Sequence, residues 1–310
     1  MANKRMTLVE TVSRSDAPII LGATVNTLVM RAYEYRTSPW REYVNVGEVP
    51  DFRDVDYINI YTEDQLDRII EGEPYPEGRF REEAAPRFRV HKYGKMLKIT
   101  YEMIIDDNLR MIRSLAENYG RLAESGEARM AVNLLESIPV GDDLDGNPLA
   151  GPLNEDLMSR ALNAFYYGQE QRGRILQLSP SMCIAHGRYA DVLRTVFRPS
   201  TVYDFNPLAG RVRVLEEPYL TDHNFFYLIA DPNINPAIEI DFLNSPFDSR
   251  EDYRNGPRVI PDSLNTTSVL PGDIGVAGEG FRYDSLGFKV RHVYGGAVVD
   301  DRVVLKVEIT

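Results

Sequence analysis

The sequence predicts an α+β protein, and three observations carry that prediction. From Asp106 to about Ser137 there is no proline, and apolar or small residues recur every three or four positions. Segment 51–104 alternates strand-like runs with an acidic turn rich in glycine and proline. The second half then carries short β-branched and aromatic runs separated by turn residues.

In chain order, residues 1–50 read as an extended N-terminal arm, with short apolar runs at Ile19–Leu21 and Leu28–Met30 and Trp40 as its anchor. Residues 51–104 read as a long two-stranded excursion. The run Asp56-Tyr-Ile-Asn-Ile-Tyr61 leads into the acidic tip Glu71-Gly-Glu-Pro-Tyr-Pro-Glu-Gly78. The chain returns through Arg87–Val90 and the alternating Leu97, Ile99, Tyr101 and Met103. An isolated hairpin is marginal in water, so this arm needs a partner surface.

Residues 105–138 read as one long helix. Ile105, Leu109, Ile112, Ala116, Tyr119, Ala123, Gly126, Met130 and Leu134 form its apolar stripe, Asp106 and Asp107 suit its N-terminus, and Gly120 and Gly126 are places for a bend. At 1.5 Å per residue such a helix reaches ~48 Å, the dimension of a spine. Beyond the loop 141–148, helices are expected at 154–171 and 188–197. Strands are expected at 175–178, 182–185, 211–215, 225–230, 238–243, 288–294 and 297–307, with a long loop over 244–280.

Composition narrows the function. The 310 residues carry 47 acidic and 35 basic side chains, a formal charge of −12. Twelve Phe and 18 Tyr among many aliphatic residues can build a core, which excludes a disordered chain. No stretch approaches ~20 apolar residues, so no spanning helix is expected. The N-terminal segment lacks the order of a signal peptide. The lone Cys183 excludes an internal disulfide framework and makes an intracellular origin the default. An acidic chain is a poor general binder of nucleic acid. Only six of the 35 cations are Lys. Arginine's planar fork suits intersubunit ion pairs, although a GC-rich genome would give the same excess.

The search for chemistry yields no catalytic, metal or cofactor residues. Asp142, Asp143 and Asp145 lack the glycine and glutamate positions of a calcium loop, so a solvated turn is expected. Cys183 and His186 form a single C-x-x-H pair with no second pair to complete a zinc site, and Cys183 reads as a core residue. His91, His223 and His292 are scattered. Gly272-Asp-Ile-Gly-Val-Ala-Gly278 opens no helical pattern and fails as a phosphate cradle.

Three segments, in order, resemble the Mu-like phage major head protein family. They are Lys92-Tyr-Gly-Lys-Met-Leu-Lys-Ile-Thr-Tyr-Glu-Met-Ile-Ile-Asp-Asp107, then Asp145-Gly-Asn-Pro-Leu149 with Leu162 to Leu178, and Gly287-Phe-Lys-Val-Arg-His-Val-Tyr-Gly295 followed by Val299-Asp-Asp-Arg302. Asp301 stands where that family often carries Trp. The resemblance covers roughly residues 90–305 and implies the Hong Kong 97-type capsid fold. In that fold, 1–50 is the N-terminal arm, 51–104 the E-loop and 105–138 the spine helix of the P-domain. Residues 139–243 form the A-domain, and 244–310 a long loop and strands completing both domains.

The resemblance implies a major head protein that assembles with copies of itself, as hexamers and pentamers, into an icosahedral shell. The shell would enclose double-stranded DNA without specific binding, in a virion made in the host cytoplasm, with no membrane. Contacts to neighbours are expected from Trp40, Glu71, Glu73, Tyr75, Glu77, Arg79, Phe80 and Arg81. A separate scaffolding protein, a portal and a decoration protein are the expected partners. Some relatives of this fold weld subunits through an E-loop lysine. No lysine lies between Lys4 and Lys92, so the outer hairpin and its tip cannot supply one, and a non-covalent shell is expected. The competing readings are an encapsulin-like nanocompartment, a soluble hydrolase and a tail or neck protein of the virion.

Overall fold

A computed structural model describes residues 17–35, 38–62, 80–84, 87–100, 109–168, 170–171, 174–175, 178–198, 208, 210–246, 252–261 and 285–310. The chain begins with helix α1 (Ala17–Glu34) and the single turn α2 (Trp40–Tyr43), followed by strands β1 (Asn45–Val49), β2 (Ile58–Thr62), β3 (Phe80–Ala84) and β4 (His91–Thr100). The long helix α3 (Leu109–Glu136) comes next, then β5 (Ala150–Gly151) and α4 (Glu155–Asn163), which a π turn extends to Gly168. A small ribbon, β6 (Glu170–Gln171) and β7 (Arg174–Ile175), leads to β8 (Pro180–Ala185) and α5 (Gly187–Val196). Strands β9 (Arg213–Glu216), β10 (Phe225–Ala230), β11 (Ile238–Leu243), β12 (Arg258–Pro261), β13 (Ser285–Val298) and β14 (Val304–Ile309) complete the chain. Among the described residues no helix is long and apolar enough to cross a membrane.

The chain divides into two compact units with interleaved sequence. One takes residues 1–36, 91–127 and 242–294; the other takes 37–90, 128–241 and 295–310.

In the first unit, β13 is flanked by β12 and β4, both antiparallel. Leu97 and Ile99 of β4 and Phe288 and Val290 of β13 point to one side. There they meet Val25 and Val29 of α1 and Ile112 and Ala116 of α3. The expected extended arm is therefore a helix over Ala17–Glu34. Its buried residues Val25, Val29, Ala32 and Tyr33 fall at i, i+4, i+7 and i+8, one face of a 3.6-residue period.

The long helix is found where it was expected, but its buried stripe is not the expected one. Beyond Ala116 it runs through Gly120, Glu124, Glu127 and Ala128, one residue later than the predicted Tyr119, Ala123 and Gly126. Gly120 explains the offset. A Cβ there would sit 2.2 Å from the Val29 carbonyl oxygen, so the bare glycine lets α1 cross close over α3. The helix is unbroken at this point.

The second unit is built on a five-stranded sheet in the order β5-β14-β10-β8-β9. Its central strand β10 pairs antiparallel with β14 and β8, and Phe226 to Ile229 are fully buried. Asn154 caps α4 by accepting from the Leu157 N–H at 2.9 Å, and Leu157, Met158, Ala161 and Leu162 form its buried face. The hairpin β2–β3 is a separate two-stranded sheet.

Three further expectations are corrected. The strand that answers β2 is β3, whereas β4, with its apolar alternation, pairs with β13 under a core. The region 244–280 contains strand β12. The two expected final strands are divided at 299–303, not at Gly295-Gly296, which lies inside β13. Cβ atoms at Gly295 and Gly296 would stand 2.3 Å from the Arg89 carbonyl oxygen and 2.4 Å from that of Glu239. Glycine serves close backbone approach here, not a turn.

Trp40, expected to contact a neighbouring subunit, is wholly buried in its own chain. Its segment is fastened by a buried carboxylate. Glu217 accepts from Ser38 Oγ at 2.5 Å and Tyr43 Oη at 3.1 Å through Oε2, and from the Tyr219 N–H at 3.1 Å through Oε1. The Trp40 N–H donates in turn to Ser38 Oγ at 3.2 Å. Burial, reinforced by the Glu217 charge, pushes the Tyr43 phenol up from its ordinary value and keeps it a donor.

Two outcomes follow. In an exposed helix Gly→Ala gains about 1 kcal/mol, but Gly120→Ala should cost ~1–3 kcal/mol, because Val29 must move. Urea unfolding reads the sign. Glu217→Ala should cost ~2–4 kcal/mol by stranding two buried hydroxyls and the half-buried Tyr219 N–H, seen as a lower thermal midpoint. A change within 0.5 kcal/mol in either variant would contradict these roles.

Candidate assembly interface

The sequence-predicted contact residues fall into three groups. Phe80 and Arg81 open β3, opposite Thr62 and Tyr61 of β2. Glu71, Glu73, Tyr75, Glu77 and Arg79 lie outside the described residues. Trp40 is internal. The structure thus brings two of the eight onto the hairpin strands and withdraws one into the core.

Among the described residues β2 and β3 pair only with each other. Their base is better fastened. Val55 and Phe88 exchange backbone hydrogen bonds of 2.8 and 3.4 Å, and the Tyr57 ring stacks on Phe88 at 5.7 Å. Arg87 pairs with Asp56 at 2.5 Å, but both side chains are more than half exposed, so the pair contributes ~0–1 kcal/mol. Tyr57 Oη donates to Asp241 Oδ2 on β11 at 3.2 Å. Backbone and aromatic contacts, not surface ion pairs, fix where the hairpin begins.

The candidate chemical groups have structural roles. Asp143 accepts through Oδ1 from the N–H groups of Asp145 and Asn147, both at 2.9 Å, and through Oδ2 from Arg160 at 2.7 Å. Those bonds, led by Arg160, hold its carboxyl at about 2, so the acidic loop is a pinned turn. Cys183 is buried in β8, and burial pushes its thiol well above the ordinary range. His186 caps α5, accepting from the Arg188 N–H at 3.2 Å, and stacks on His223 at 3.9 Å. No group of three metal-binding side chains occurs among the described residues. Gly272–Gly278 lies outside them.

The first unit also contains a cavity of about 260 Å³, walled by Tyr93, Tyr119, Leu122, Val290, His292 and Tyr294, with Lys95 as its one Lys, Arg, Asp or Glu. Tyr93 and Tyr294 stack across it at 4.4 Å. Its surfaces are suited to apolar contact.

Sequence reasoning missed the buried acids Glu217, Glu239 and Asp241. In Ile238-Glu-Ile-Asp-Phe-Leu243, alternating acids imitate a solvent-facing strand edge, yet all six residues are buried. A run of β-branched and aromatic residues close on both sides was the available signal for a covered strand.

Comparisons with known proteins agree with this architecture. No curated protein matches. Among solved structures, the virus-like particle from Pyrococcus furiosus is similar at TM-score 0.50 and 10% identity, covering 92% of this chain and 98% of that one. Mycobacterium phage Patience follows at TM-score 0.48 and 10% identity, covering 97% and 89%. The satellite phage P4 procapsid follows at 0.47 and 10%, covering 92% and 90%. The α+β architecture is that of the Hong Kong 97-type capsid fold. The family model for phage capsid proteins matches residues 83–307, which include β4, the long helix, the five-stranded sheet up to the last two residues of β14, and β13, and the chain therefore belongs to the phage capsid protein family.

Proposed function

We propose that this major capsid protein tiles as hexamers and pentamers into an icosahedral phage head around double-stranded DNA, with its hairpin laid across a neighbouring subunit. The observation that carries the proposal is the β2–β3 ribbon, which pairs with no other described strand and has too little apolar surface to stand alone. A neighbour's surface supplies what the ribbon lacks. Residues 51–104 then act as the E-loop, α3 as the spine of the P-domain and 139–243 as the A-domain. Residues 1–50 act as the N-terminal arm, within which helix α1 packs on its own unit through Val25 and Val29.

The role is mechanical, not catalytic. Each intersubunit contact is weak, but many act together, so closure is cooperative and the finished shell is kinetically stable. Glu71, Glu73, Glu77, Arg79 and Arg81 provide the polar contacts of the loop. A portal, a separate scaffolding protein and a decoration protein are the partners this role calls for. Excess negative charge suits a container whose DNA must enter and leave.

The test is charge reversal at the tip. Glu71→Lys, Glu73→Lys and Glu77→Lys together should leave the circular dichroism of the subunit unchanged and reduce pelletable particles at least tenfold. Wild-type yields from the triple variant would refute the contact. Wild-type particles should run on a denaturing gel at monomer length, because the outer hairpin and its tip, up to Lys92, carry no lysine; a covalent ladder would contradict this.

A further inference from the structure

Glu239 and Asp241 lie two residues apart on one face of β11, and both are buried. A Cβ placed on Gly47 of the adjoining β1 would lie 2.2 Å from Asp241 Oδ1 and 2.9 Å from Glu239 Oε1, so the two oxygens are within about 5 Å. Asp241 Oδ1 has no hydrogen-bond partner. Two carboxylates this close cannot both be comfortably ionised in a buried site without a counter-charge.

Among the described residues, no Lys, Arg or His is recorded against the pair. On β11 the facing group is Glu239, on β1 it is the Gly47 N–H, and on the segment before β2 it is the Tyr57 phenol. Glu48 of β1 is exposed. Asp51 pairs with Arg53 and Asp56 with Arg87. Arg89, whose backbone approaches Gly295, is exposed, and the end of β13, Gly295–Val298, carries no titratable side chain.

We propose that Asp241 holds a proton against the neighbouring Glu239 side chain, and that this proton clamps β1 and the Tyr57 end of the hairpin onto β11. With the proton bound, Tyr57 donates to the pair and its ring remains stacked on Phe88. When the proton leaves to solvent, two negative charges face Gly47, and the base of the hairpin loosens. Burial first, and the Glu239 charge second, push Asp241 up from 3.8 to about 6. Because the folded value is raised, the stabilisation is complete below the unfolded value, near 4, and is lost as pH rises through about 6. The clamp is a property of the single chain and holds whether or not the hairpin touches a neighbour.

Hydrogen exchange of the full-length protein, followed by mass spectrometry over residues 45–62 at pH 5 and pH 7 and corrected for intrinsic rates, tests it. The opening constant should be about tenfold larger at pH 7 in the wild type and unchanged between the two pH values in Asp241→Asn. Should Asp241→Asn not fold, Glu239→Gln serves instead, with a smaller rise than wild type expected. An equal rise in a variant and the wild type overturns the proposal. So does restoration of protection at pH 7 by magnesium or calcium ions in wild type alone, which would make the pair a cation site.

Discussion

Ten consecutive residue pairs between β4 and β13, from Thr100 opposite Ser285 to His91 opposite Tyr294, are the contact on which the first unit depends. The ladder sets which side chains face the helices. In the observed register Leu97 lies opposite Phe288 and Lys95 opposite Val290, so Leu97, Ile99, Phe288 and Val290 share one core with α1 and α3. A slip of one residue would turn Lys98 and Lys289 toward that core. The apolar floor also explains α1. A helix of modest amphipathicity is held because Val25 and Val29 have somewhere to go, and because Gly120 lets the two backbones come close.

Buried polar groups then choose among packings that apolar contact alone would allow. In the first unit Glu127 accepts from Tyr33 Oη at 2.7 Å and pairs with His292 Nε2 at 2.5 Å, joining α1, α3 and β13 through one carboxylate. In the second, Glu217 collects Ser38, Tyr43 and Tyr219, and Asp241 receives Tyr57. Such groups are expensive to bury and are tolerated only when their partners arrive together. Each ties segments that are far apart in sequence, so a misplaced segment leaves a charge stranded.

This division explains what was legible in the residues. Strands 225–230 and 238–243 and the helix beginning near Leu109 were readable because local pattern decides them. The need of segment 51–104 for a partner was readable from its shortage of apolar residues. Helix α1 was missed because its stripe of Val25, Val29, Ala32 and Tyr33 is short and follows Pro18 and Gly22. Gly295-Gly296 reads in the sequence as a break between two expected strands because glycine's role in close backbone approach is invisible without the neighbouring strand. For the same reason the buried acids were not singled out: their donors come from elsewhere in the chain.

The assembly claim rests on a ribbon, β2–β3, that pairs with no other strand among the described residues. The measurement that tests this most directly is light scattering with negative-stain microscopy on the wild-type protein, made alone and with the neighbouring phage genes. The account predicts closed icosahedral particles in at least one of these conditions, containing DNA when the packaging genes are present. A stable monomer or small ring in every condition would contradict it, leaving the capsid fold without the capsid role.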